Sequence, residues 1–480
     1  MRRHALVALA MLAITGCGSE PTANYNPEIT EEDRQIGAEQ HPQLLAEFGG
    51  DYPGGQADYV KRLGDKVARA AGLDGKCTFT LVNSDVVNAF AVPGCYIYVT
   101  RGLIAIVGSE AELGSVLAHE VGHIVGAHAQ RQQSRSLWRT LGVIAVSLAG
   151  SEQLTRLAGE AAQFFTLRYS RTQEYEADSL GIRYLRDAGY DPYAAADMLA
   201  ALSRQERFMA DTRGHDTARA IPEWARSHPL TERRVAQARE TAASTGLADG
   251  ALAENEAAYL EQVDGLLYGD DPKQGFVLGQ RFVHPVMRIA FTAPEGFTLT
   301  NSPQAIAING PDGVRGEFGG GRIPSGGLEG YAAQFAEQIL GAEPSALGPA
   351  EAVSINGLDA RVFTTPLRSD HGQVVLRLVV YDGGDGGAYH FIMIAPATDA
   401  PVHLVEELFR SFRRVSPVEA ATLKPRHIRT VTVRPGQTAA QLWKGMASEH
   451  PRELFLMLND AGSDQTVRAG ERVKLVTNRP

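Results

Sequence analysis

The run SEAELGSVLAHEVGHIVGAHAQ, from Ser109 to Gln130, holds the chemistry around which the remaining chain is arranged. Within it stands His119-Glu120-Val121-Gly122-His123, an H-E-x-x-H motif. On a helix of about 3.6 residues per turn the two histidines fall one turn apart on one face. Both imidazoles can then reach a single zinc ion, with Glu120 beside them to take a proton from water. Val116, Leu117, Ile124 and Val125 provide an apolar face to bury the helix. Ser109 is an N-cap candidate, followed by Glu110 and Glu112 in the first turn.

Such a site needs a third protein ligand. A third histidine six residues after the second is excluded, because Ala129 occupies that position. His128 is one residue off and, in a continuing helix at about 100° per residue, points away from the metal face. It reads as a solvated or packed histidine. The other solution is a glutamate on a later helix, and SRTQEYEADSLGIRYL, Ser170 to Leu185, offers one. Glu174 and Asp178 lie four apart, so one carboxylate can bind metal while the other accepts the N–H of a ligand histidine. Glu176 has Leu180 at that spacing and is the weaker candidate.

HEVGH followed by SRTQEYEAD, preceded by VNAFAVPGCYIYVTRGL and followed by SHPLTERR, closely resembles the zinc metallopeptidase family of HtpX, the CAAX prenyl protease and the periplasmic BepA-type enzymes. The resemblance covers roughly residues 27–260. It implies one Zn2+ per chain on His119, His123 and Glu174, catalysis by Glu120, and Asp178 supporting a ligand histidine. His228, in the His-Pro element, is expected either to stabilise the oxyanion of the transition state or to bind zinc as a fourth ligand that keeps the enzyme latent. The strand-like runs Cys77–Val82 and Tyr96–Val99 flank Asn88 to Gly94, which by resemblance is the cleft rim. Asn88 is the candidate to fix that rim, where an extended substrate adds as a further strand. Cys95 stands where relatives commonly carry a glycine, a departure that suggests a disulfide with Cys77; two buried thiols are the alternative.

The 480 residues, 44% of them hydrophobic, suffice for several packed domains. A formal net charge of −10 argues against nucleic acid as the main partner. Residues 1–17 read as a signal peptide: Arg2 and Arg3, an apolar run, then Ile14-Thr15-Gly16-Cys17, which looks like a bacterial lipobox with Cys17 as the lipidated residue. Gly18 at the next position points to an outer-membrane anchor, and residues 18–27 form a tether. Leu137 to Ala149 is apolar but too short to span a bilayer, which takes about 20 residues. An amphipathic hairpin near the cleft or plain core burial is expected there.

The expected fold class is multidomain α+β. A mainly helical gluzincin-type peptidase domain with a small sheet occupies residues 28–268. An α+β sandwich, weakly similar to PsbP-like domains, covers 274–416, with helices at Leu328–Leu340 and Val402–Val415. A small LysM-like domain, strand, two helices and strand, covers 427–480. The LysM family binds peptidoglycan; glycan binding or service as a docking module is expected of this segment. Together these readings predict a lipid-anchored envelope metalloendopeptidase of protein quality control. Its partners would be polypeptide substrates, the membrane, peptidoglycan and outer-membrane assembly machinery. The alternative is an envelope chaperone or scaffold with a latent zinc site.

Overall fold

The computed structural model describes residues 29–131, 169–213, 224, 228, 232–340, 347–369, 372–384, 386–461 and 467–478. The expected signal peptide, Cys17, the tether and the apolar stretch 137–149 lie outside those residues. Among the described residues no helix is long and apolar enough to cross a membrane.

The N-terminal unit is mainly helical. Its helices are α1 (Glu31–Glu47), α2 (Gly55–Ala70), α3 (Arg101–Ile106), α4 (Glu110–Val125), α5 (His128–Arg131), α6 (Arg171–Asp187), α7 (Ala194–Arg213), α8 (Glu232–Ser244) and α9 (Glu256–Val263). The motif helix α4 starts where expected: the Ser109 side chain accepts the N–H of Glu112 at 3.1 Å, and two acids sit in the first turn. Nearly all of α4 is buried, Val116, Leu117 and Val121 completely. A helix enclosed on every side belongs at the centre of its domain.

A three-stranded sheet lies against it, in the order β1 (Thr78–Val82), β3 (Tyr96–Thr100), β2 (Ala89–Val92). β1 and β3 run parallel, β2 and β3 antiparallel. The β2–β3 turn carries two consecutive positive φ angles, at Gly94 and Cys95. Glycine is required at 94, because a Cβ there would stand 2.8 Å from the α1 backbone at Arg34 Cα. Cys77 and Cys95 are joined as a disulfide, tying the start of β1 to this turn.

Residues 276–414 form the α+β unit. Two antiparallel sheets make it up. The larger has seven strands in the order β11-β12-β13-β14-β10-β9-β8, namely Glu351–Ile355, Leu358–Ser369, Gly372–Gly384, Gly387–Pro396, Arg315–Arg322, Ile306–Asn309 and Thr298–Asn301. The smaller has the order β15-β7-β6-β5, namely Arg413–Arg414, Ile289–Thr292, Arg281–His284 and Phe276–Leu278. Helix α10 (Gly327–Leu340) packs Leu328, Tyr331 and Phe335 on one face of the large sheet. Helix α11 (Asp399–Ser411) packs Leu408 and Phe409 into the other core. It stops short of the expected Val415, because Arg413 and Arg414 pair with β7 as a strand. A short helix, α12 (Pro417–Thr422), leads out of the unit.

The C-terminal segment has the expected order: β16 (Arg426–Thr432), α13 (Ala439–Trp443), α14 (Pro451–Leu458) and β17 (Arg472–Thr477). Its expected separateness needs correction. β4 (Leu267–Tyr268), at the end of the N-terminal unit, adds to β16 as the third strand of the sheet. Ile428, Leu454, Phe455 and Val476 belong to the same continuous core as Leu117 and Leu202. Lys474 on β17 is 1% exposed and donates to the carbonyls of Ala105 and Val107, both at 2.9 Å, just ahead of α4.

Candidate metal centre

Two glycines bring the site together. A Cβ on Gly122 of α4 would lie 2.8 Å from the Ala177 carbonyl, and one on Gly181 of α6 would lie 3.0 Å from the His119 nitrogen. Without side chains at these positions the two helices cross almost backbone to backbone. That close approach lets the short reach of Glu174 and Asp178 extend to the histidines of α4.

The donors converge. His119 Nε2 lies 3.0 Å from His123 Nε2 and 3.2 Å from His228 Nδ1. Glu174 Oε1 lies 3.0 Å from His228 Nδ1 and 3.6 Å from His123 Nε2, and Glu174 Oε2 lies 3.6 Å from His119 Nε2. All four residues are buried. A tetrahedral ion with bonds of about 2.0–2.1 Å places neighbouring ligand atoms about 3.3 Å apart, and the observed separations bracket that value. Charge leads to the same result. Glu120, Glu174 and Asp178 bring three carboxylates together, and Arg234 pairs with two of them. A divalent cation would be held favourably by so carboxylate-rich and largely buried a cluster.

The surroundings orient the donors. Asp178 Oδ1 is 2.9 Å from His119 Nδ1, which leaves Nε2 facing the centre. Arg234, 1% exposed, donates from Nε and Nη2 to Asp178 at 2.6 and 2.8 Å and reaches Glu174 through Nη1 at 2.8 Å. Burial acts to raise the Asp178 pKa, but Arg234 outweighs it and holds the carboxyl well below the usual range. For Glu120 burial prevails and its carboxyl is pushed up. For His228 burial is outweighed by Glu174 and Glu120, which raise its pKa. Trp224, fully buried, stacks on His228 at 4.8 Å between centroids, and its backbone N–H donates to the Val87 carbonyl beside β2. Tyr169 stacks on His123 at 3.9 Å.

The structure brings His119, Glu120, His123, Glu174, Asp178 and His228 together. Sequence reading did not single out Trp224 or Tyr169, and it noted Arg234 only as part of a motif. No spacing rule connects them to α4. Asn88 is buried at the head of β2, where its backbone exchanges hydrogen bonds with Thr100, while its Oδ1 has no hydrogen-bond partner among the described residues. His128 is fully buried rather than solvated.

A histidine pair with an adjacent glutamate on one helix and a glutamate from a second form the arrangement of a metal-dependent peptidase domain. Residues 55–242 match the model of peptidase family M48, so this part of the chain is an M48 peptidase domain. A relative named beta-barrel assembly-enhancing protease, from Yersinia pestis, is 33% identical over 195 residues, 38% of this chain and 38% of that protein. Its namesake from Escherichia coli strain K12 is 32% identical over 200 residues, again 38% of each chain. The mitochondrial metalloendopeptidase OMA1 of Arabidopsis thaliana is 35% identical over 124 residues, 26% of this chain and 25% of that one. The match thus spans well under two thirds of each relative's length. Cyanobacterial PsbP from Synechocystis sp. PCC 6803 aligns with a TM-score of 0.23 and 17% identity, over 29% of this chain and 98% of that one. A score that low carries no functional argument.

Proposed function

We propose that this chain is a zinc-dependent metalloendopeptidase of the bacterial envelope, anchored through a lipid on Cys17 at the outer membrane. It hydrolyses peptide bonds of misfolded or stalled periplasmic and outer-membrane proteins. The observation that carries the reading is the buried convergence of His119, His123 and Glu174 with Glu120 beside them. The name beta-barrel assembly-enhancing protease, borne by matched relatives, supports β-barrel proteins under assembly as substrates. The C-terminal segment would add a contact to peptidoglycan or to assembly machinery.

His119, His123 and Glu174 would hold one zinc ion per chain. Zinc supplies Lewis acidity toward the scissile carbonyl and the attacking water. Glu120 takes the proton from that water and delivers it to the leaving amine. Asp178 accepts the Nδ1–H of His119, and Arg234 keeps both Asp178 and Glu174 in register. An extended polypeptide adds to the outer edge of β2 through its backbone, next to the turn Val92 to Gly94.

A second reading concerns the state of the site. His228 Nδ1 stands at ligand separation from both His119 and Glu174, so His228 would serve as a fourth ligand to a bound ion. Catalytic zinc needs an open position, so the enzyme in this arrangement is latent, and a chaperone or scaffold role belongs to it. One experiment separates the possibilities: cleavage of an unfolded outer-membrane protein by wild type, Glu120→Gln and His228→Ala at equal zinc content. Cleavage should fall ~10²-fold or more in Glu120→Gln, the scale of a lost general base. Basal cleavage should rise in His228→Ala. Full function in Glu120→Gln would rule out proteolysis, and a ~10²- to 10³-fold fall in His228→Ala would make His228 an oxyanion donor instead.

A further inference from the structure

His123 presents Nε2 to the metal centre, which leaves Nδ1 to be accounted for. That nitrogen lies 2.8 Å from Nδ1 of His128. On the far side of His128, Nε2 stands 3.3 Å from Glu176 Oε2. Arg131 in turn donates to both oxygens of Glu176, at 2.9 and 3.1 Å, and to the Gly126 carbonyl at 3.1 Å. A row of polar groups therefore runs from a buried candidate ligand outward to a partly exposed carboxylate.

The backbone is shaped to make this row. Helix α4 ends at Val125, Ala127 turns the chain with φ +49°, and His128 comes back over the helix end. Gly126 must lack a side chain, because a Cβ there would lie 2.5 Å from His128 Nε2. Gln173 of α6 donates to the His128 carbonyl at 3.1 Å and holds the returned residue in place. His128 is fully buried.

We infer that His128 is a positioning residue for the zinc ligand His123 and that Glu176 acts through it. The inference rests on the zinc reading of the site. With the lone pair of His123 Nε2 directed at the metal, its Nδ1 carries the hydrogen and donates to His128 Nδ1. His128 then carries its own hydrogen on Nε2, the nitrogen that faces Glu176 Oε2 at 3.3 Å. The row sets one tautomer at each ring and holds the plane of His123, as Asp178 does for His119. Loss of such outer partners weakens metal binding by ~10- to 100-fold.

The test is zinc affinity of the full chain, by competition with a chelator, alongside thermal unfolding of the metal-free protein. His128→Ala should weaken zinc binding by ~10- to 100-fold. His128→Asn should recover most of that loss, because its amide oxygen stands where Nδ1 stood and accepts the same hydrogen. Glu176→Ala should weaken binding less than His128→Ala, and Glu176→Gln, which keeps an acceptor, should bind as wild type does. Wild-type affinity in His128→Ala overturns the inference. An Asn variant no tighter than Ala also overturns it, since that pattern marks a role in packing alone. Failure of wild type to bind zinc would overturn the metal reading itself, a distinguishable result.

Discussion

His123 and His128 are five residues apart, and an unbroken helix would set them on different faces. A single left-handed residue, Ala127, and an absent side chain at Gly126 reverse the chain and join the two rings. Spacing rules assume that a helix continues, and for that reason they rank His128 too low. His390 in the α+β unit is another histidine governed by its surroundings. It lies on β14 with Nδ1 2.9 Å from the Tyr331 hydroxyl and the Phe335 ring at 4.2 Å, and burial lowers its pKa from 6.5 to about 4. Between those values the unfolded chain binds a proton that the folded chain does not. Stability is therefore complete above pH 6.5 and falls as the pH drops toward 4. From pH 7 to 5 this one group should remove about 2 kcal/mol. Urea unfolding followed by circular dichroism at both pH values should show that loss in wild type and not in His390→Leu.

At the scale of elements, α3 and α4 depend on a strand from the far end of the chain. Helix α3 ends at Ile106, and the carbonyls of Ala105 and Val107 at that end lack helical partners. Lys474 of β17 donates to both. Its ammonium is entirely buried and its pKa is lowered to about 8, mainly by burial. Glu112 in the first turn of α4 is pushed up to about 7 by the same cause. Lys474→Met should leave two buried carbonyls unpaired, at roughly 1–3 kcal/mol for a lost buried partner, and lower the unfolding midpoint of the N-terminal unit. Unchanged stability in a thermal or urea melt would show that removing the buried charge offsets the loss.

Across the whole molecule, the N-terminal unit and the C-terminal segment are one body. β4 pairs with β16, and Phe455 and Val476 lie in the core that also holds the motif helix. Truncation after Thr422 should therefore expose the apolar side of α7 and α9 and leave the peptidase domain open to limited proteolysis. A tethered module could be removed without that effect, so a protease-resistant, zinc-binding truncation would contradict this architecture.

Local chemistry already determined the helix that carries His119, Glu120 and His123, the second helix with Glu174 and Asp178, and the two helices of the α+β unit. Those features repeat at the period of a helix, and periodicity is visible in a linear chain. Tertiary structure alone decided that Arg234 binds two carboxylates at once, that Trp224 and Tyr169 flank the centre, that His128 returns to His123 and that Lys474 reaches α3. These contacts join residues distant in sequence, or separated by one unusual torsion, and they follow from how the units close around a shared core.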